Sequence, residues 1–199
     1  MLLMAGKTII APASALGRGG VSVIRMSGDH SKQIAEAMCG SLAESWKFKK
    51  CKIRSSEGQV LDSGMVVFFE SPNSYTGEDV VEFHCHGNPA IVNLILEDAV
   101  NRGARVAEPG EFTKTAFLND KIDLAQAESV ADLINAQSKS AIIAAGSSLS
   151  GEFSSKVDSI VEGLIKTRVV VEAHIDFPEE DIDPLLLSLI HISEPTRRS

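Results

Sequence analysis

Three cysteines in 199 residues, Cys39, Cys51 and Cys85, are too few for a secreted disulfide framework or a four-ligand zinc site, and no C-x-x-C pair occurs. The expectation is a reducing, cytoplasmic compartment. Aromatic residues are scarce at 5%, yet 44% of the chain is hydrophobic, which excludes disorder, collagen and a coiled-coil-only chain. Basic residues are the minority, 19 Lys and Arg against 27 Asp and Glu, for a formal net charge of -8. Such a surface repels phosphate backbones, so any nucleic-acid contact falls to a local basic patch or to a partner. No run approaches the roughly 18 to 20 apolar residues that span a bilayer, and Met1-Leu2-Leu3-Met4 lacks the charged segment and cleavage site of a signal peptide. No membrane role is expected.

What is present changes character near residue 120. Before it, short β-rich runs such as Thr8–Ala11, Val21–Ile24 and Met65–Phe69 are punctuated by Gly17-Arg18-Gly19-Gly20, Ser71-Pro72-Asn73-Ser74 and Gly87-Asn88-Pro89. Helical spacing interrupts them around residues 31 to 38 and from Ala90 to Asn101, so an α+β domain is predicted over residues 1–119. After it Gly and Pro almost vanish. Leu124, Ala127, Ala131 and Ile134 mark one helix; Ile142, Leu149, Phe153, Val157, Ile160, Leu164, Val171 and Ile175 then step by three, four or seven to a stop at Phe177-Pro178. This second stripe predicts one helix of more than thirty residues, roughly 50 Å long at about 1.5 Å per residue. Its apolar face needs another subunit or more of the same polypeptide to cover it. Residues 120–183 thus read as the start of a helical domain. The tail 184–199 breaks every period, resembles translated vector sequence, and is set aside as non-native.

No motif by itself names a chemistry. Gly17-Arg18-Gly19-Gly20 lies between strand-like runs and misses the G-x-G-x-x-G spacing, and G-x-x-x-x-G-K-[ST] does not occur in these residues. The glycines read as a tight turn, or as a loop edge where a flat ligand approaches backbone near Arg18 or Arg25. In His84-Cys85-His86 the two histidines share one strand face and Cys85 takes the other, which supplies too few ligands for a metal and no Cys-His catalytic pair. Cys85 is expected to be a small buried hydrophobe. Glu82 shares the histidines' face within Val80-Val81-Glu82-Phe83. It is either a solvated strand carboxylate or one that accepts hydrogen bonds from an N–H/NH₂ edge such as the aminopyrimidine of a pterin. Lys121 sits where Asn119 or Asp120 ends one helix and Asp123 caps the next. It is either solvated there or neutralises an anionic ligand.

Several blocks occur together in order: Gly17–Val21 with Ile24-Arg25, Asn73–Asp79, Glu82, His86-Gly87, Pro109–Phe112, Ala116–Glu128 and Ile175–Glu180. Over roughly residues 7 to 183 the sequence closely resembles the MnmE (TrmE) family of GTPases that modify the wobble uridine of tRNA. The resemblance implies a folate-binding and dimerising N-terminal domain, with a fold like that of the glycine-cleavage T protein, an aminomethyltransferase, followed by the first helices of a helical domain. It maps the folate-contacting residues onto Arg25, Glu82 and Lys121. The implied cofactor is 5-formyltetrahydrofolate or 5,10-methylenetetrahydrofolate, giving one carbon to C5 of the uridine in (carboxymethyl)aminomethyl addition. The implied partners are a second copy of the chain, a flavin-dependent enzyme like MnmG, and tRNA indirectly. The family's phosphate loop, its magnesium and potassium sites and its C-terminal cysteine motif are not found in these residues, so GTP chemistry is expected only of the full-length family protein. Two other functions remain open: a folate-dependent aminomethyltransferase-like protein, which the helical stretch disfavours, and a non-catalytic dimerisation module.

Overall fold

Alternation of side chains along β2 (Gly19–Ser27) builds the first domain: Ser22, Ile24 and Met26 are buried toward one side, while Val23 and Arg25 look to the other. In the computed structural model, which describes residues 8–176, β2 is central in a six-stranded sheet of order β3-β4-β5-β2-β1-β6. The other strands are β1 (Ile9–Pro12), β3 (Lys49–Arg54), β4 (Val60–Phe69), β5 (Val80–Gly87) and β6 (Arg105–Val106). All neighbours run antiparallel except β1 and β6. β3 lies at an edge. It turns Cys51 and Ile53 inward and keeps Lys50, Lys52 and Arg54 exposed, a charged edge that discourages pairing with another chain.

The inner face carries the core. Ile10, Ile24, Met26, Val66, Phe68, Val81 and Phe83 cluster there with Ile34 and Met38 of α1 (Ser31–Cys39) and Val92, Ile95 and Ala99 of α2 (Pro89–Asn101). α2 starts as its sequence dictates: Asn88 Oδ1 accepts from the Ala90 N–H at 2.9 Å, and Pro89 fills the first turn, where no N–H partner is needed. This α+β arrangement agrees with the expectation for the chain's first part. Short α3 (Glu111–Leu118) follows β6.

The chain divides into two compact units at Asp123/Leu124. Within the second, α4 (Leu124–Asn135) packs on α5 (Lys139–Leu149), and α6 (Glu152–Asp176) continues beyond. The single helix predicted across residues 142–175 is therefore two helices. The break is at Ser150-Gly151, where Gly151 has φ +86°, a left-handed conformation that only glycine adopts cheaply. The apolar spacing from Leu149 to Phe153 runs through the break unaltered, which conceals it. α6 alone has 25 residues, roughly 37 Å. Its Phe153, Ile160, Leu164 and Ile175 are exposed within the described residues. The expectations for the N-terminal four residues, the Phe177-Pro178 stop, residues 179–183 and the tail 184–199 fall outside the described residues.

Candidate functional site

The outer face of the sheet, opposite α1 and α2, holds the chemistry. Register places Arg25 of β2 directly opposite Glu82 of β5, and Val23 opposite His84. On the far side of β5, Val67 and Met65 of β4 are the partners of Glu82 and His84. A charged pair is thus framed by apolar neighbours. Arg25 Nε and Nη2 both lie 2.8 Å from Glu82 Oε1, and the side chains are only 25% and 14% exposed. Because Arg25 engages a single carboxylate oxygen, Oε2 keeps its acceptor capacity. That oxygen is 3.6 Å from His84 Nε2, beyond hydrogen-bond length, and His84 Nε2 is itself a buried ring nitrogen with no hydrogen-bond partner.

Aromatic rings lie near this pair. The Arg25 guanidinium carbon is 5.0 Å from the Tyr75 ring centre and 5.8 Å from that of Phe112, and Phe48 meets His84 edge-on with ring centres 5.0 Å apart. Tyr75, Phe112, Phe48 and His84 were not marked as site residues by the sequence. Tyr75 and Phe112 belonged to recognised blocks, but spacing cannot show that two rings distant in the chain flank one guanidinium.

Tyr75 is delivered by the segment 71–79, which hydrogen bonds pin at both ends and in the middle. Ser27 Oγ pairs with Thr76 Oγ1 at 2.7 Å and donates to Glu78 Oε2 at 2.9 Å; Ser31 Oγ donates to the Asp79 carbonyl at 2.8 Å. The Tyr75 hydroxyl meets Thr113 Oγ1 of α3 at 2.9 Å, and Asn119 Nδ2 donates to the Thr76 carbonyl at 2.7 Å. Lys121 enters here. Its stem comes within 3.2 Å of where a Cβ on Gly77 (φ +78°) would stand, so that glycine both permits the backbone turn and leaves room for the stem. Its ammonium donates to the Pro72 carbonyl at 3.0 Å. The structure thus brings Arg25 and Glu82 together and ties Lys121 to the same segment that carries Tyr75, with its ammonium on Pro72 rather than on the pair.

The remaining motif residues take other roles. His86 turns to Asp62 of β4: its Nδ1 is 2.8 Å from Oδ1, and its backbone N–H donates to Oδ2 at 2.7 Å. Burial works to raise the Asp62 pKa, but hydrogen bonds from the His86 backbone and ring and from the Ser63 backbone outweigh it and hold the carboxyl below its ordinary range. Cys85 is buried, as expected, and burial pushes its thiol up to about 11. No cluster of three potential metal ligands occurs among the described residues, and none of their helices is long and apolar enough to cross a membrane.

Comparison with known proteins gives these features a family. The model described as GTP-binding protein TrmE N-terminus matches residues 8–121, and the MnmE helical domain model matches residues 124–194. Curated relatives named tRNA modification GTPase MnmE include those of Neisseria gonorrhoeae, 53% identical over 176 residues, and Nitrosomonas eutropha, 52% identical over 176. That of Polaromonas naphthalenivorans is 47% identical over 189 residues. Each match covers 88% of this chain but only 39% to 40% of the relative's length. The chain belongs to the MnmE (TrmE) family of tRNA modification GTPases, of which it carries the N-terminal domain and sequence of the helical domain.

Proposed function

We propose that the first domain binds a reduced folate against the outer face of its sheet, as part of a protein that modifies C5 of the tRNA wobble uridine. The observation that carries this reading is the half-buried Arg25–Glu82 pair, with one carboxylate oxygen still free to accept and with two aromatic rings near the guanidinium. A pterin is flat and presents adjacent N–H and NH₂ donors, so it fits an acceptor with aromatic rings nearby. In this reading Glu82 receives the donor edge, and Arg25 holds that carboxylate in place through its hydrogen bonds to Oε1. Arg25 and Lys121 supply positive charge for the one-carbon group or the glutamate tail. Bound 5-formyltetrahydrofolate or 5,10-methylenetetrahydrofolate would supply the one-carbon unit; the protein's share is binding, orientation and exclusion of water. A fold related to the glycine-cleavage T protein accords with this ligand.

The same reading assigns GTP, magnesium and potassium chemistry to parts of the full-length protein outside these residues. It assigns electron transfer to a flavin-dependent partner like MnmG, dimerisation to the first domain, and tRNA contact to the assembly, in the cytoplasm. The charge of -8 suits indirect contact with tRNA. A dimerisation module without a ligand is the second reading, favoured by the exposed apolar residues of α6. Titration calorimetry with 5-formyltetrahydrofolate separates the two. Saturable heat at micromolar ligand supports folate binding; no heat at high micromolar protein, with a folded circular-dichroism spectrum, overturns it for this chain.

A further inference from the structure

On the inner face, away from the charged pair, two thiols that are twelve residues apart in sequence meet: Cys39 Sγ and Cys51 Sγ are 3.4 Å apart and both are free. We infer that Cys39 and Cys51 form a reversible redox pair that hydrogen peroxide converts to a disulfide. Cys39 is the last residue of α1 and partly exposed; Cys51 is buried in β3. To bond, the sulfurs must approach by about 1.4 Å from their present separation, to reach a disulfide length of about 2.05 Å. The helix terminus and the irregular residues 40–48 after it can supply that movement.

The surroundings distinguish the two sulfurs. The thiol–thiol contact and the positive charge of Lys49 favour the Cys51 thiolate and outweigh its burial, whereas the same contact and desolvation raise the Cys39 thiol. The Cys51 thiolate attacks the peroxide, whose O–O bond breaks, and with a proton one water leaves. The resulting sulfenic acid is attacked by Cys39 sulfur as its proton is lost. The S–S bond forms, the S–O bond breaks and a second water leaves. The pair gives up two electrons and two protons, and the peroxide becomes two waters. Cys85, buried on the same face with its thiol raised, serves as an internal control.

The disulfide would close a loop through residues 40–50, which includes Trp46, the chain's single tryptophan, and Phe48 against His84. Trp46 meets Phe69 edge-on and donates from Nε1 to the Asn73 carbonyl at 3.2 Å. Oxidation would therefore restrain a segment that reaches the outer face.

The test treats the reduced 199-residue chain with hydrogen peroxide, blocks free thiols under denaturing conditions and maps the products by mass spectrometry. The expected product lacks two hydrogens, carries a Cys39–Cys51 linked peptide, keeps Cys85 alkylated, and returns to the starting mass with dithiothreitol. Cys39→Ser, at the less buried partner, should yield a trappable sulfenic acid at Cys51 and no cross-link. Free or irreversibly oxidised Cys39 and Cys51 in the unmutated chain, with no linked peptide at any peroxide dose, would overturn the inference whatever the variant does.

Discussion

Glu82 Oε1 lies 2.8 Å from two nitrogens of Arg25, while its other oxygen stays 3.6 Å from His84 Nε2. One carboxylate therefore has one committed oxygen and one available oxygen, inside a frame of apolar strand neighbours.

This asymmetry separates binding from stability. Truncating Arg25 leaves a half-buried carboxylate without its partner, so Arg25→Ala should lower stability by about 1 to 3 kcal/mol, the partial exposure keeping it below a fully buried break. Replacing both partners with apolar residues, Arg25→Met with Glu82→Leu, should recover most of that loss. Folate binding should not recover. Glu82→Ala should weaken affinity by about ten- to a hundredfold, and Glu82→Gln nearly as much, because its amide turns a donor toward the ligand's donors. Denaturant melts and calorimetry on the same variants check both halves; full affinity in Glu82→Gln would remove Glu82 from the site.

The Asp62–His86 contact should appear in acid stability. Asp62 has a depressed pKa in the folded state, so its contribution is present above the unfolded value of about 3.9 and is lost as pH falls through the lower folded value. Asp62→Asn should cost about 1 kcal/mol at neutral pH and flatten the fall in stability below about pH 4. Melting temperatures of both proteins between pH 2 and 7, taken in about half-unit steps, measure this. Parallel curves would show that ionisation of Asp62 adds no net stability to the fold.

Gly151 tests the helix break. A Cβ there would meet nothing closer than Gln126 Nε2 at 3.6 Å, so crowding is not the issue and only the left-handed backbone is. Gly151→Ala should cost about 1 kcal/mol, and Gly151→Asn less, because asparagine tolerates that conformation. Urea unfolding followed by helical circular dichroism gives the order; a stabilised Gly151→Ala would mean that α5 and α6 join into one helix in solution.

Particular residues show how far the sequence could be read. Strand alternation put Glu82, His84 and His86 on one face and Cys85 on the other, and helical spacing put Leu124 at the start of a helix. Alternation carries no register, however. The pairing of Arg25 with Glu82, 57 residues away, and of Asp62 with His86, 24 away, depends on a strand order that only the folded chain defines. The Gly151 break was hidden because two non-helical residues preserved the apolar spacing. The nearness of Cys39 and Cys51 was hidden because a helix end and an edge strand meet there without any C-x-x-C signal.

The Lys121 ammonium already has a partner in the Pro72 carbonyl. Gly77 and Asn119, which flank its stem, also line a pocket with Asp29, Glu78 and Asp79. An anionic folate tail near those carboxylates would require a compensating cation, and Lys121 can turn from a neutral carbonyl to a carboxylate at little cost because it is exposed. Lys121→Met keeps the stem against Gly77 and removes only the charge. It should lower affinity for 5-formyltetrahydrofolate about tenfold, and change stability by no more than about 0.5 kcal/mol, as expected for an exposed hydrogen bond. A ligand lacking the glutamate identifies the contact: if Lys121 meets the tail, that ligand should bind both proteins equally. Equal weakening of both ligands would place the ammonium at the one-carbon end. Unchanged affinity for both would leave Lys121 as a clamp on the segment that carries Tyr75.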